Sequence, residues 1–212
     1  MDRDAAWELL CEYTKAEGLR KHGLAVETVM RHFARKQGGD EDTWGITGLL
    51  HDFDYERWPT VEGHPFEGNK ILKERGYPDE VTTAIMGHAE YSGVPRETPM
   101  AKTLFAADEL TGFVTAVALV RPNKSIFEVE PASVRKKMKD KAFARQVNRD
   151  DIINGADQLG VEQVDGRDAA ALHVVAVDDR EPGGAPLTEQ LDLRRHALPH
   201  AGGDHHAAHH RD

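Results

Sequence analysis

Apolar residues recur at three- and four-residue spacing from Asp2 to about Gly160, and this pattern predicts a series of helices. Short clusters of Gly, Pro and Asp interrupt it and mark the helix ends. No β-hairpin pattern and no internal repeat is evident, so the sequence predicts an all-α fold. The predicted helices are one around Trp7 to Tyr13 closed by Gly18, one over residues 24–36, one from Asp42 or Thr43 to about His51, one from Pro65 to Gly76, one from Pro78 to His88, one from Met100 to about Val120, one over residues 132–147, and a last turn or short helix from Arg149.

The helical pattern is lost after Gly160. Residues 161–212 are rich in Ala, Asp, Gly and His, hold seven of the 12 histidines, and contain few large apolar residues. This composition predicts a helical domain over residues 1–160 and a disordered, acidic, His-rich tail over residues 161–212. A short strand over residues 172–177 is the alternative for part of that tail.

Composition and charge narrow the class of protein. No apolar stretch approaches the roughly 20 residues of a membrane-spanning helix, so no membrane partner is expected. The first eight residues carry Asp2, Asp4 and Glu8 where a signal peptide has a basic start and an apolar middle, which predicts a cytoplasmic protein. The net charge of -10 argues against stable nucleic-acid binding, which depends on basic surface.

Five histidines remain in the helical part of the chain, and four of them lie at predicted helix ends or beside a helix breaker. Asp108 lies inside the sixth predicted helix, on its apolar stripe. A buried carboxylate is costly unless it is paired or bound to a cation. Either Asp108 and the histidines are satisfied locally and separately, or they converge on a cation. The four histidines are His22, His51, His64 and His88.

The order and context of these residues resemble those of the HD-domain metal-dependent phosphohydrolase superfamily. His22 is followed by the doublet His51-Asp52, embedded in Gly48-Leu49-Leu50-His51-Asp52, and then by Asp108. The resemblance extends over roughly residues 19 to 152. His64 in His-Pro-Phe-Glu-Gly and His88 in Ile-Met-Gly-His-Ala are similar to the two extra histidines of the binuclear, HDIG-type branch. The chain departs from that branch after the doublet, where Phe53-Asp54-Tyr55-Glu56-Arg57 replaces Ile-Gly-Lys.

The resemblance implies an HD-type helical bundle that binds one or two divalent ions of Mn, Fe, Co, Ni or Zn. It implies that His22, His51, Asp52 and Asp108 hold the first ion. His64 and His88 would hold the second together with Asp52 as a bridge, which makes Asp52 the central catalytic residue. The implied reaction is hydrolysis of a phosphate monoester or diester by a metal-activated hydroxide. A nucleotide or another small phosphorylated metabolite is the expected substrate.

Two other functions remain open at this point. Similar six-ligand HD scaffolds host O2 chemistry, so a di-iron oxygenase has the same ligand set. A non-catalytic metal-binding or nucleotide-binding module is the third interpretation.

A basic segment offers candidates for binding the substrate phosphate. Residues 121–149 carry nine Lys and Arg against three Asp and Glu. Arg121 and Lys124 follow the helix that carries Asp108, and we expect them to contact the phosphate. The remaining lysines of this segment are expected on a solvated helix face.

Deletion of residues 161–212 is expected to leave enzymatic activity and the melting temperature unchanged, because a tail without a core contributes nothing to the fold of residues 1–160. The measurement is thermal unfolding and activity of the shortened and full-length chains. A large drop in melting temperature would show that the tail packs against the domain.

Overall fold

A computed structural model describes residues 1–160, and within this range the protein has eight α-helices, two short 3-10 helices and no strand. The expected all-α fold is confirmed. The predicted tail and the alternative strand at 172–177 lie outside the described residues. The helices are α1 Arg3–Tyr13, α2 Glu17–Gln37, α3 Glu41–Leu50, α4 Phe66–Glu74, α5 Asp79–His88, α6 Pro99–Leu119, α7 Pro131–Met138 and α8 Arg149–Leu159, with 3-10 turns at Glu90–Ser92 and Ile126–Glu128. No helix among these residues combines the length and apolar character required to cross a bilayer.

Several predicted helix ends agree with the structure because local capping sets them. Gly38 ends α2 with φ at 73°, a left-handed conformation that suits glycine. The side chain of Asp40 accepts a hydrogen bond from the Thr43 backbone N–H and caps α3. Thr98 caps α6 in the same way through the backbone N–H of Ala101.

Three predicted boundaries are wrong, and one of them is the start of the second helix, which lies at Glu17 and not at residue 24. Gly18 lies inside α2 and does not close α1, because the chain turns earlier, at Thr14, whose hydroxyl donates to the Phe53 carbonyl at 2.8 Å. The seventh helix ends at Met138, well before residue 147. The carbonyls that follow Met138 accept hydrogen bonds from the Arg149 guanidinium, which favours a compact loop over a continued helix.

The first hydrophobic core lies between α1, α2, α3, α4, α5 and the N-terminal half of α6. Each fully buried Leu or Ile there contributes about 1.5–3 kcal/mol to folding. This core includes Leu9, Val26, Met30, Ile46, Leu49, Leu50, Phe53, Leu72, Val81, Ile85, Met100 and Leu104.

A second, smaller core lies between the C-terminal half of α6, α7 and α8. It is built from Phe113, Val117, Ala118, Val129, Val134 and Ile152. Helix α6 therefore belongs to both cores. Asp108 lies at the point along α6 where one core gives way to the other.

Close glycine contacts bring α2 and α3 together. A Cβ atom at Gly23 would lie 2.9 Å from the Leu49 carbonyl oxygen, and one at Gly48 would lie 3.0 Å from the Val26 backbone. Larger residues at these two positions would separate the helices. The contacts place His22, beside Gly23, close to His51 at the end of α3.

A third glycine fixes α8 on α6. A Cβ atom at Gly155 would lie 2.6 Å from the Cα of Ala106, two residues before Asp108. A backbone atom cannot move away as a flexible side chain can. The absence of a side chain at Gly155 therefore sets the distance between the two helices.

Gly155→Ala is expected to destabilise the protein by about 1–3 kcal/mol, because the added methyl group meets the α6 backbone. The matched control is Gly112→Ala, inside α6, where a Cβ atom has no heavy atom within 4 Å. This control is expected to stabilise the protein by about 0.5–1 kcal/mol, since glycine is unfavourable in a helix. Urea unfolding of both variants measures the difference, and equal stabilities would contradict the packing described for Gly155.

Candidate metal centre

Five structural elements supply the candidate ligands. His22 lies in the second turn of α2, and His51 and Asp52 follow the last residue of α3. His88 is the last residue of α5, and Asp108 lies in the middle of α6. His64 precedes α4. Among the described residues, two groups of side chains have ligand atoms close enough to hold an ion, namely His22, His51, Asp52 and Asp108, and Asp52, His64 and His88.

The first group is compact. The Nε2 atom of His22 lies 3.0 Å from Asp108 Oδ1 and 3.2 Å from the Nε2 atom of His51. His51 Nε2 lies 3.4 Å from Asp108 Oδ1 and 3.4 Å from Asp52 Oδ2. The distance from His22 Nε2 to Asp52 Oδ2 is 3.8 Å. Four side chains thus direct ligand atoms at a common point.

The second group uses the other oxygen of Asp52. Asp52 Oδ1 lies 3.3 Å from His64 Nε2 and 3.4 Å from His88 Nε2. The two Nε2 atoms are 3.2 Å apart. The carboxylate of Asp52 therefore divides its two oxygens between the two groups.

These distances fit the edges of a metal coordination shell. Zinc–nitrogen bonds of about 2.0–2.1 Å put neighbouring tetrahedral ligands about 3.4 Å apart. In the first group the distances from a histidine nitrogen to another ligand atom are 3.0–3.8 Å, and all four ligand atoms lie within 4.8 Å of one another. Imidazole and carboxylate are also the ligands that divalent transition ions accept. The residues present therefore fit such an ion at each group.

Hydrogen bonds on the far side of three rings orient their ligand atoms. His51 donates from Nδ1 to the Gly48 carbonyl at 2.8 Å, and His88 donates from Nδ1 to the Ile85 carbonyl. His64 Nδ1 donates to Asp54 Oδ1 at 2.7 Å. Because carbonyl and carboxylate oxygens only accept, Nδ1 carries a proton, and in the neutral ring the Nε2 lone pair is directed into the cluster.

Asp54 is a residue that sequence reasoning missed. Its side chain is buried, and its second oxygen accepts a hydrogen bond from the Gly68 backbone N–H at 2.8 Å. A Cβ atom at Gly68 would lie 2.6 Å from Asp54 Cγ, so only glycine lets α4 approach this carboxylate. Asp54 thus joins His64 to the start of α4. The sequence feature that could have drawn attention to Asp54 is the departure from Ile-Gly-Lys after the His51-Asp52 doublet.

Opposite charges hold the cluster together electrostatically. Burial disfavours a charged His51, but Asp52 and Asp108 outweigh it and raise the pKa of His51 well above its usual value. The pKa of His88 is raised in the same way, against burial, by its hydrogen bond to Asp52. Burial disfavours the ionised forms of Asp52 and Asp108, but the neighbouring histidines outweigh it. His51 acts on both carboxylates, His88 adds to the effect on Asp52, and His22 adds to the effect on Asp108. The pKa values of both carboxylates therefore lie well below the usual range. The site therefore favours ionised carboxylates balanced by positive charge.

Three further polar side chains surround the cluster. Tyr91 donates from its hydroxyl to the His64 carbonyl at 2.9 Å, and burial together with Asp52 raises the pKa of Tyr91 to about 12. The Tyr55 ring lies 5.3 Å from the His64 ring, centre to centre. Burial and the neighbouring Asp108 raise the pKa of Glu109 to about 7. The sequence pattern gave no indication of Tyr91 or Glu109.

The two predicted phosphate-binding residues are not brought to the cluster. Arg121 and Lys124 follow the end of α6 at Leu119, about 16 Å along the helix from Asp108. The Nε atom of Arg121 is buried and has no hydrogen-bond partner among the described residues. Lys124 is exposed. Both therefore follow the end of α6 that is remote from Asp108.

Comparison with known proteins agrees with this geometry. The family model described as the HD domain matches residues 19–112, a segment that contains all six candidate ligands. This match supports placing the chain in the HD superfamily, whose domains are typically metal-dependent hydrolases. No curated protein and no solved structure matches the chain significantly.

Asp54→Asn is expected to weaken binding of an ion at the His64 and His88 group by about 10- to 100-fold, the usual effect of losing the partner of a ligating histidine. The amide oxygen can still accept a hydrogen bond, but the negative charge is lost. The amide NH2 group is a donor, so it faces another donor, either His64 Nδ1 or the Gly68 N–H. Calorimetric titration of metal-free protein with Mn²⁺ measures the affinity. Mn²⁺ binds other histidines weakly, which limits background from residues 161–212.

Asp157→Asn is the matched control, since Asp157 is an exposed carboxylate on α8. It removes the same charge from an exposed residue that belongs to neither ligand group and is expected to bind Mn²⁺ as the wild type does. Equal affinities of Asp54→Asn and wild type would show that His64 is oriented without Asp54.

Proposed function

We propose that this protein is a metal-dependent phosphohydrolase of the binuclear, HDIG-like branch, and that residues 1–160 form its metal-binding domain. The proposed reaction is cleavage of a phosphate monoester or diester in a nucleotide or another small phosphorylated metabolite. The observation that carries the proposal is the division of the two Asp52 oxygens between two groups of imidazoles. A carboxylate in that position is suited to bridge two cations.

The proposed ligands of the first ion are His22, His51, Asp52 and Asp108. His64 and His88 join Asp52 on the second. Divalent ions held there, of Mn, Fe, Co, Ni or Zn, would lower the pKa of water and neutralise charge on a phosphoryl group. The protein's own contribution is orientation, because the Nδ1 hydrogen bonds of His51, His64 and His88 fix the rings before any ion binds.

The burial of the cluster also supports a role in chemistry. His51 is fully buried, and His64 and His88 are only 5% exposed at their side chains, whereas Asp52 and Asp108 are 21% and 22% exposed. The imidazoles of His51, His64 and His88 thus form the floor, and the two carboxylates lie at the solvent side together with His22, which is 19% exposed. An anionic substrate approaching from solvent meets the ions at this opening, since the imidazole side is closed by the first core.

The same six ligands also suit a di-iron oxygenase, and a direct comparison of reactions separates the two functions. Protein purified without added metal is analysed for bound elements and then assayed for O2 consumption and for phosphate release. Phosphate release without O2 consumption is expected. Metal-loaded protein that binds nucleotides without converting them would instead favour a non-catalytic module.

Asp52→Ala is expected to abolish metal binding at both groups and to abolish hydrolysis with it, because this side chain alone belongs to both. Elemental analysis and phosphate release from a panel of phosphorylated metabolites, with Mn, Co, Ni and Mg supplied separately, are the measurements. Asp157→Ala serves as the control for removal of one carboxylate. Unchanged metal content and turnover in Asp52→Ala would contradict the proposed function.

A further inference from the structure

A basic loop connects α7 to α8 over residues 139–148, outside the segment matched by the HD family model. Its three basic side chains, on Lys139, Lys141 and Arg145, are exposed. None of the three has a hydrogen-bond or ion-pair partner within residues 1–160. Exposed, unpaired cations of this kind are available to an anionic ligand.

The basic loop is compact because one side chain organises it. The Arg149 guanidinium donates to the carbonyls of Asp140 at 3.1 Å, Val147 at 3.2 Å, and Met138 and Ala144 at 3.3 Å, and also to the Phe143 carbonyl. Backbone groups spread over ten residues therefore surround a single planar group. Arg149 is fully engaged in this task, so the exposed cations of the loop are displayed from a defined scaffold.

The basic loop is fixed beside the metal cluster. The backbone N–H of Asn148 donates to Glu109 Oε2 at 3.1 Å. Glu109 immediately follows Asp108 on α6. The loop therefore ends next to a candidate ligand, whereas Arg121 and Lys124 lie beyond the far end of the same helix.

Open space adjoins this contact. Gly112 lies one helical turn after Asp108, and a Cβ atom built there has no heavy atom within 4 Å. Side chains on a helix lean toward its N-terminus, so this open space lies over the turn that carries Asp108. A ligand bound at the cluster can extend along α6 without meeting a side chain at residue 112.

The charge distribution gives the basic loop its role. In the described residues, the basic side chains within 4.0 Å of the Asp52 and Asp108 carboxylate oxygens are all histidines, so no Lys or Arg forms an ion pair at the cluster itself. Residues 121–149 have six more basic than acidic side chains, while the rest of residues 1–160 has 13 basic against 24 acidic. Positive charge is thus concentrated beside the site and not in it.

We propose that the basic loop binds a second phosphate of the substrate, through Lys141 and Arg145, while the first phosphate is at the metal cluster. This inference rests on the proposed function and narrows it to substrates with two separate phosphoryl groups. A monophosphate would then bind at the metal cluster but would have no second phosphate to contact the basic loop. Residues outside the HD domain match would determine which phosphate esters are accepted.

The experiment compares two probes that differ by one phosphate, fructose 1,6-bisphosphate and fructose 6-phosphate, by calorimetry on the Mn²⁺-loaded full chain. The variants are the double substitution K141Q/R145Q and, as a control, K124Q, which removes an exposed cation of the same basic segment far from Asp108. The wild type is expected to bind the bisphosphate at least about tenfold more tightly, because hydrogen bonds between charged groups are the strong ones. K141Q/R145Q is expected to lose this preference and to keep its affinity for the monophosphate. K124Q is expected to behave as the wild type does.

The Mn²⁺ content of each protein is measured first, so that the two proposals fail separately. Wild-type protein that binds neither Mn²⁺ nor, in the same measurement, Co²⁺, Ni²⁺ or Zn²⁺ would overturn the proposed function. Wild-type protein that binds Mn²⁺ but does not distinguish the probes would overturn the role of the basic loop alone, as would a preference retained in K141Q/R145Q. An equal loss in K124Q would show that only net charge matters and would equally overturn it.

Discussion

The meeting of four imidazoles with two carboxylates at the centre of the bundle is the interaction on which the rest of the structure depends. Two ionised carboxylates this close together repel one another and are costly to remove from water. They are tolerated because positive charge lies beside them. In the free protein this charge comes from protonated imidazoles, and in the metal-bound protein it would come from the cation. The raised pKa of His51 and the lowered pKa of Asp52 are two aspects of this balance. The helices must then meet closely enough to keep all six side chains together.

Glycine is what permits the close approach. Gly23 and Gly48 bring α2 against α3, Gly155 brings α8 against α6, and Gly68 admits the Asp54 carboxylate to the start of α4. Each contact lies within a few residues of a cluster side chain or its partner. The packing of the bundle and the geometry of the cluster are therefore set by the same contacts, and neither can change without the other.

The helices were largely predictable because their apolar spacing and caps are local properties of the chain. The start of α2 was not, since the turn at Thr14 depends on a hydrogen bond to Phe53, 39 residues away. The six candidate ligands and their grouping around Asp52 were predicted from the resemblance to the HD superfamily. The spacing along the chain could not by itself predict the grouping, because it follows from how five elements cross. The role of Asp54 was not predicted for a similar reason. Its partners, His64 and Gly68, are brought to it only by the folding of the loop before α4.

Helix α6 is a structural member of two cores and carries Asp108 at their junction. An ion held by Asp108 and by side chains of α2 and α3 would fasten α6 to the first core. Any ligand that binds only the folded state adds its binding free energy to the stability of whatever it holds in place. Binding of an ion at the cluster is therefore expected to stabilise the packing of Phe113, Val134 and Ile152 in the second core, although none of them belongs to the cluster. Helix α6 thus couples ion binding to the stability of the second core.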